Sequence, residues 1–205
     1  MPTVAGASFS NDETSVSTTV RSGLEVMMRQ PTLFLIVGLP CTGKTTAARR
    51  LEIERKALRL TKDEWVKALY GQENPPSAQN VIEGRLIQLG LRALELGNNV
   101  VIDYGLWSRD ERSALRKAAA HVGATVEMRY FEVAPAEQRT RLDRRQAEAP
   151  QTTWPMSDQE LAEWTARFDI PTPGELAGSE PIDEAPAGFA TWDEWRRSRW
   201  PPSLS

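Results

Sequence analysis

The chain has 205 residues, 40% of them hydrophobic and 26% charged, with a formal net charge of -3 and a pI near 5.4. These values are typical of a globular domain, and the acidic balance disfavours a non-specific nucleic-acid binder, which usually carries a basic surplus. A single cysteine excludes an intramolecular disulfide, and without a long apolar run or a secretory signal we expect a cytoplasmic protein that binds no membrane.

The first third of the sequence indicates a flexible start followed by two strands that alternate with helices. Residues 1–22, rich in Ser, Thr and Gly, are expected to form a flexible tail, with a short helix over Val20–Met28. The continuous apolar run Leu33–Val37 predicts a strand buried on both faces. The next predicted elements are a helix over Ala47–Lys56, a strand over Ala57–Leu60 and a helix over Asp63–Leu69.

The middle of the chain continues this alternation. The predicted elements are a helix over Ser77–Leu96, a strand over Asn99–Ile102, a helix over Ser108–His121, a strand over Val126–Val133 and a helix over Pro135–Gln146. Strands that alternate with helices indicate a parallel sheet with crossover helices on both faces. We therefore predict an α/β fold in three layers, with a mostly parallel sheet of four or five strands.

The end of the chain has a different composition. A helix is expected over Ser157–Phe168, and after it Pro, Gly, Asp and Glu become frequent. Three tryptophans follow, at Trp192, Trp195 and Trp200. We predict that residues 176–205 form a Pro/Trp-rich extension, which buries tryptophans against the surface of the domain.

One motif places a phosphate-binding loop between the first strand and the helix after it. Residues 38–45 read Gly-Leu-Pro-Cys-Thr-Gly-Lys-Thr, which matches G-x-x-x-x-G-K-[ST] in full. Glycines let backbone N–H groups wrap a phosphate, and the helix adds its positive end. We expect Lys44 to reach the β- and γ-phosphates of ATP, Thr45 to bind Mg²⁺ and Thr46 to contact the α-phosphate. The predicted nucleotide-binding residues are Gly38, Cys41, Thr42, Gly43, Lys44, Thr45 and Thr46.

A carboxylate follows the third predicted strand. Asp103 ends the run Asn-Val-Val-Ile-Asp, on the side of the sheet where α/β proteins bind ligands. A carboxylate there would hold Mg²⁺ together with Thr45, directly or through water. The alternative is an aspartate that caps the turn before Gly105.

Two other classes of nucleotide-binding protein are disfavoured. Guanine specificity needs an Asn/Thr-Lys-x-Asp signal on a late strand, whereas Thr61–Glu64 reads Thr-Lys-Asp-Glu and comes far too early. Ring-forming ATPases carry a longer module with an appended helical domain. A P-loop NTPase fold of the kinase type remains the best match to the length and the motif.

Four segments carry a resemblance to a known group. The sequence resembles the zeta-toxin and chloramphenicol-phosphotransferase-like small P-loop kinases, often labelled AAA-type ATP-binding proteins, and within them a bacterial subgroup of uncharacterised members. The matching segments are Gly38–Thr46, Arg59–Trp65, Val101–Arg109 and Arg139–Arg145. The resemblance covers about Pro31 to Pro173; the phosphate loop is specific to the superfamily and the other segments are moderately specific to the group.

The resemblance implies roles for three charged side chains. An aspartate just past the second strand is the base for the acceptor hydroxyl in such kinases, and Asp63 matches it. A helical lid contributes arginines that close on the transferred phosphoryl group, for which Arg141 and Arg145 are the best placed because they share one helix face. The alternatives are a first-turn aspartate of a helix and a solvated basic face.

Five residues are candidate contacts with the phosphoryl acceptor. They are Trp65, Arg85, Tyr104, Trp107 and Arg109. Tyr104 and Trp107 come right after Asp103 at the ligand-facing strand end, and the alternative for these two is packing under the lid helix. Such kinases usually end with a fifth strand beside the adenine site, and nothing after Ile170 matches that strand. Either Pro181-Ile182 is its remnant or the sheet is smaller.

Together these features predict a kinase domain over residues 23–175. Its expected reaction moves the γ-phosphate of ATP, with Mg²⁺, to a hydroxyl of a small molecule. The alternatives are a 5′-hydroxyl nucleic-acid or nucleotide kinase, in which case nucleic acid is a partner, and an ATP-binding regulatory module that docks a partner through the C-terminal extension. The sequence does not identify the acceptor or the oligomeric state.

Overall fold

Four parallel strands form the centre of the molecule in the computed structural model, which describes residues 30–203. The strands are β1 (Thr32–Val37), β2 (Ala57–Leu60), β3 (Asn99–Gly105) and β4 (Thr125–Tyr130). They lie in the order β2-β3-β1-β4, and each neighbouring pair is parallel. The carboxyl ends of all four strands therefore lie along one edge of the sheet, where ligands bind in folds of this type.

Helices connect the strands, since parallel neighbours need crossover connections. They are α1 (Lys44–Arg55), α2 (Lys62–Tyr70), α3 (Pro76–Glu95), α4 (Arg109–His121), α5 (Pro135–Glu148), α6 (Asp158–Ala166), α7 (Pro173–Leu176) and α8 (Trp192–Arg199), and a 3₁₀ turn spans Pro150–Thr152. The predicted α/β fold is confirmed. Within residues 30–203 the sheet has four strands, and Pro181-Ile182 forms none.

Three predicted element boundaries were wrong in ways that affect the ligand-binding edge. Helix α1 begins at Lys44 rather than Ala47, because Gly43 with φ 99° ends the loop immediately before it. Strand β3 continues beyond Ile102 to Gly105, with a register shift opposite Leu35–Val37 of β1. Strand β4 ends before Val133 because β1, its only partner strand in the described sheet, ends first.

The core has two parts, one on each face of the sheet. Alternate side chains of β1 point in opposite directions. Leu33, Leu35 and Val37 belong to the larger cluster, which includes apolar residues of α3 and α4. Phe34 and Ile36 pack with Ala48 and Leu51 of α1. All five β1 side chains are at most 2% exposed, which explains the uninterrupted apolar run in the sequence.

The segment after α6 packs on the face of the sheet that carries the larger core cluster. Arg112 of α4 and Glu175 of α7 form a buried ion pair with N–O distances of 2.6 and 3.0 Å. Trp200 is 3% exposed and packs edge-on against Trp195, which packs in the same way against Trp192. The predicted extension thus places its tryptophans against the domain, although its predicted division at residue 176 stays a prediction.

Some sequence predictions lie outside the described residues. They are the flexible tail over residues 1–22 and the helix over Val20–Met28. Among residues 30–203, no helix has the length and apolar character that crossing a membrane requires.

Candidate active site

The loop after β1 has the backbone conformation that phosphate binding needs. Gly38, Cys41 and Gly43 have φ values of 145°, 59° and 99°, in the region that glycine adopts most readily. The Gly38 amide donates to the Gly105 carbonyl at 3.0 Å, which ties the start of the loop to the end of β3. A Cβ at Gly38 would lie 2.4 Å from the Phe131 carbonyl oxygen, so only glycine fits there.

Lys44 lies inside this loop, at the first residue of α1. Its Nζ donates to the Leu39 carbonyl at 2.6 Å, and the Thr42 hydroxyl donates to the same oxygen at 2.9 Å. Burial lowers the pKa of Lys44 to about 8, against the opposing influence of Asp103 and Asp63. The ammonium is thus poorly solvated, which strengthens its attraction for an added phosphate.

The two threonines after Lys44 share the first turn of α1 with it. Thr45 is partly buried and Thr46 is exposed. The first amides of an α-helix lack intrahelical partners and carry the positive end of its dipole. This turn therefore presents hydroxyl and amide donors at the phosphate loop.

Asp103 is the buried carboxylate of the site. It is 5% exposed, and its Oδ2 accepts from the Thr61 hydroxyl at 3.2 Å. Its Oδ1 is buried and has no hydrogen-bond partner among residues 30–203. Burial raises the pKa of Asp103, and the Thr45 hydroxyl and the Lys44 charge oppose that rise. An unpartnered buried oxygen of this kind is an available ligand for a cation.

These residues fit a Mg²⁺ ion that is bound together with a nucleotide, and not a metal site whose ligands all come from the protein. In the described range 30–203, no group of three or more His, Cys, Asp or Glu side chains could hold a metal ion. Mg²⁺ is usually bound through one or two carboxylates, with phosphate oxygens and waters completing the octahedron. Asp103 Oδ1 and the Thr45 hydroxyl supply the matching donors.

Asp63 lies in the first turn of α2, just after β2. Its side chain is 58% exposed, and its nearest ion-pair partner is Lys62 at 3.7 Å. The residue preceding the helix is Thr61, and no side chain caps it. The Asp63 charge acts on both Lys44 and Asp103, so the carboxylate lies in the neighbourhood of both side chains.

Helix α5 contacts the phosphate loop along one face. Gln138 donates to the Pro40 carbonyl at 2.8 Å, and Arg141 donates to the Cys41 carbonyl at 3.4 Å while it pairs with Glu137 at 2.5 Å. Arg145, one turn further, lies close enough to Lys44 to lower its pKa. Both predicted lid arginines are thus beside the loop, whereas Arg139 of the same helix turns away, toward Asp143 and Asp158.

The predicted acceptor contacts fall into two sets. Trp65 lies on α2 two residues after Asp63 and is 48% exposed. Burial raises the pKa of Tyr104, whose hydroxyl donates to the Glu83 carbonyl at 3.4 Å. Trp107 packs against Trp164 of α6, with ring centroids 5.5 Å apart. These three aromatic groups lie on α2 or beside the end of β3.

The two predicted arginine contacts are engaged elsewhere. Arg85 is exposed on α3 and donates to Gln88 and to the carbonyl of Pro202. Arg109 pairs with Glu180 at 2.5 Å and Asp183 at 3.0 Å. Neither has a described contact with the phosphate loop, Asp63 or Asp103, so the structure does not bring them together with the rest of the site.

Sequence reasoning missed a contact between α2 and the segment after α5. The Lys67 ammonium lies 4.1 Å from the centroid of the Trp154 ring and donates to the Thr153 carbonyl at 3.4 Å. Trp154 Nε1 donates to the Gln72 carbonyl at 3.2 Å. The segment after α5 therefore holds the end of α2. No pattern in the sequence predicts it, because the partners are more than 80 residues apart.

The Thr61 hydroxyl was also missed as part of the site. Besides donating to Asp103, it accepts from Arg59, which pairs with Glu52 at 2.9 Å and Glu64 at 3.0 Å. The available signal was that Arg59 and Thr61 belong to a segment that carries the predicted resemblance to small P-loop kinases, but that signal gives no role to either residue.

Comparisons with known proteins identify a family and a fold. A family model described as an AAA domain matches residues 33–171. No curated protein of similar sequence was found. The finer resemblance to the zeta-toxin and chloramphenicol-phosphotransferase-like group stays a prediction.

Three solved structures have a similar fold. An inferred kinase from Chloroflexus aurantiacus has a TM-score of 0.56 at 18% identity, covering 80% of this chain and 86% of that chain. Kti12 from Chaetomium thermophilum, solved with ADP-AlF3, has a TM-score of 0.55 at 17% identity, with 70% and 82% covered. A sugar kinase from Janibacter has a TM-score of 0.51 at 14% identity, with 86% and 99% covered. At such identities the likeness extends to the fold alone.

Proposed function

This chain belongs to the AAA domain family, and from that premise we propose that it moves the γ-phosphate of ATP to a hydroxyl of a small molecule. The observation that carries the proposal is the environment of Lys44. Its ammonium lies in the phosphate loop and is influenced by Asp103, Asp63 and Arg145, which come from three different elements. The charges of a candidate metal ligand, a candidate base and a lid arginine thus all act on the lysine of the donor site.

The donor side uses the loop and the first turn of α1. Backbone amides of the loop bind the phosphates of ATP, and Lys44 pairs with the β- and γ-phosphates. Thr46, in the same turn, would contact the α-phosphate. Thr45 and Asp103 would hold Mg²⁺, which when bound neutralises charge on the phosphate oxygens.

The acceptor side uses Asp63. The acceptor hydroxyl attacks the γ-phosphorus, the bond from that phosphorus to the bridging oxygen breaks, and ADP leaves. Asp63 accepts the hydroxyl proton, which an exposed carboxylate beside the phosphate loop is free to do. Its position in the first turn of α2 also agrees with a helix-stabilising role, so the choice needs a kinetic test.

The lid supplies charge around the transferred group. Arg141 and Arg145 lie on the face of α5 toward the loop, where they would stabilise the equatorial oxygens in the transition state. Trp65, Tyr104 and Trp107 border the acceptor side and favour a ring-bearing acceptor. Trp107 and Tyr104 are partly buried, which gives them a second role in packing.

The test is ATP consumption with Mg²⁺ in the presence of single acceptors: hydroxylated metabolites, antibiotics and a 5′-hydroxyl oligonucleotide. One acceptor should raise turnover well above the rate without acceptor. Asp63→Asn should then lower kcat about 100- to 10,000-fold, the range for loss of a general base. Asp158→Asn is the matched control, because Asp158 is an 87% exposed first-turn aspartate of another helix. Lys44→Ala should abolish ATP binding.

Three outcomes would change the proposal. Full acceptor turnover in Asp63→Asn would remove the base from the mechanism. Labelled phosphate on the oligonucleotide would favour the nucleic-acid kinase. ATP binding that depends on Lys44, without transfer to any acceptor, would favour the regulatory module.

A further inference from the structure

A cluster of charged side chains lies behind Asp63. We call it the Glu83 cluster; its members are Lys62, Glu83, Glu111, Arg199 and Trp200. The Lys62 ammonium lies 3.3 Å from Glu83, and Arg199 lies 3.2 Å from Glu83 and 2.6 Å from Glu111. The Glu83 side chain is 9% exposed, so this carboxylate depends on its partners rather than on water.

Lys62 joins the rest of the Glu83 cluster to the proposed base. Its Nζ is 3.3 Å from Glu83 Oε1, 3.1 Å from Gln79 Oε1 and 3.7 Å from Asp63 Oδ1. Burial works to lower the pKa of Lys62, but Glu83 and Asp63 outweigh it and raise the pKa, so the ammonium stays charged. Two carboxylates therefore compete for one ammonium, and in the structure Glu83 is the nearer.

The end of the described chain holds Glu83 in place. Trp200 Nε1 donates to Glu83 Oε2 at 2.8 Å, across 117 residues of sequence. Trp200 can approach because the neighbouring residue on α3 is Gly84: a Cβ there would lie 3.0 Å from both the Cβ and the carbonyl oxygen of Trp200. Arg199 also donates to Asn80 at 2.7 Å, which adds a second attachment to α3.

We propose that Glu83 is a positioning residue for phosphoryl transfer: it holds the Lys62 ammonium so that Asp63 stays free to take the acceptor proton, and Arg199 and Trp200 hold Glu83. This inference rests on the proposed function. It makes the C-terminal segment a part of the acceptor side, although no residue of that segment contacts the phosphate loop among the described contacts.

The kinetic test compares Glu83→Gln with wild type, using the acceptor that the turnover assay identifies. Without the Glu83 charge, Lys62 should pair with Asp63. We expect kcat to fall about 10- to 100-fold, as for a small misplacement of a reacting group, with the KM for ATP unchanged. Adding Lys62→Met to Glu83→Gln should restore most of the loss, because the ammonium that captures Asp63 is then gone. A purely structural role for Glu83 predicts the opposite, a double variant worse than either single one.

Two arginines of α8 test the part of the proposal that concerns the C-terminal segment. Arg199→Ala should lower kcat in the same way as Glu83→Gln. Arg197→Ala removes the same side chain two positions away, where it is 75% exposed and pairs only with Asp193 among the described contacts, and should leave kcat unchanged. Equal effects of the two variants would overturn the proposal.

A second readout needs no acceptor. In wild type, reductive methylation should modify the 16% exposed Lys62 slowly and the exposed Lys56 rapidly, as measured by mass spectrometry of the purified full chain. Glu83→Gln should speed modification of Lys62 and leave Lys56 unchanged, because it removes the carboxylate that favours the charged Lys62 ammonium. If Lys62 reacts equally in wild type and in Glu83→Gln, the positioning proposal fails even if the kinase proposal holds. If modification of Lys62 speeds up but no acceptor is ever phosphorylated, the proposed function fails and the contact between Glu83 and Lys62 still holds the ammonium.

Discussion

The buried ion pair between Arg112 and Glu175 allows a quantitative prediction for Glu175→Gln. The two side chains are 1% and 2% exposed, and Arg112 also donates to the carbonyls of Asp169 at 2.9 Å and Leu106 at 3.2 Å. The variant keeps the shape of the side chain but leaves the guanidinium without its counter-charge. Removing one partner of a buried pair costs about 3–5 kcal/mol, whereas exposed pairs contribute about 0–1 kcal/mol. For a chain of this size, that loss lowers Tm by about 6–20 °C.

Equilibrium unfolding in urea, followed by tryptophan fluorescence, measures this loss. Arg112→Met should cost a similar amount, and the double variant should cost less than the sum of the two single losses, by about 1–3 kcal/mol. Arg197→Met is the control, since an exposed arginine should change stability by no more than about 0.5 kcal/mol. A loss below about 1 kcal/mol in Glu175→Gln, or strictly additive losses, would refute the argument that this pair holds the segment after α6 in place.

Three further predictions concern the site. Gly38→Ala should destabilise the fold by about 1–3 kcal/mol or more and abolish ATP binding. The reason is that the added Cβ would lie 2.4 Å from the Phe131 carbonyl oxygen, at a strained φ. Urea unfolding measures the loss of stability, and calorimetry measures ATP binding. ATP binding should weaken as pH rises through about 8, since Lys44 loses its proton there in the free protein. Because bound phosphate favours the charged ammonium, binding near pH 8 should take up protons, and calorimetric enthalpies that do not vary between buffers would contradict this. Trp154→Ala should raise the KM for the acceptor about 2- to 30-fold, which corresponds to the loss of one cation–π contact with Lys67. The KM for ATP should stay constant. Equal changes in both KM values would mean that the contact does not act on the acceptor side.

The sequence predicts the fold well where one local signal decides the structure. Leu33–Val37 is apolar at every position because both faces of β1 are covered, so the run alone identifies a central strand. The phosphate loop follows from glycines whose conformations other residues avoid. The capped start of α4 is similarly local: Ser108 and Glu111 form a capping box within four residues.

The features that the sequence did not reveal depend on distant contacts. Arg112 and Glu175 are 63 residues apart, and neither stands out in a chain with many charged residues. The unpartnered oxygen of Asp103 exists only because of how Thr61 and the sheet enclose the carboxylate. The interpretation of Arg85 as an acceptor contact relied on position in the chain, and the structure instead joins it to Pro202.

The packing of Trp200 against Gly84 also affects the order in which parts of the domain can fold during synthesis. Glu83 and Trp200 are 117 residues apart, which at about 5–20 residues per second separates their emergence from the ribosome by about 6–23 s. Strands β1 and β2 and the phosphate loop are made before Glu83, and β3 and β4 follow within that interval. The nucleotide half of the domain is thus available to fold well before the charged side chains behind Asp63 receive their partners. Until then Glu83 must stay hydrated or pair with Lys62 alone, so the acceptor side of the domain reaches its final form after the phosphate loop.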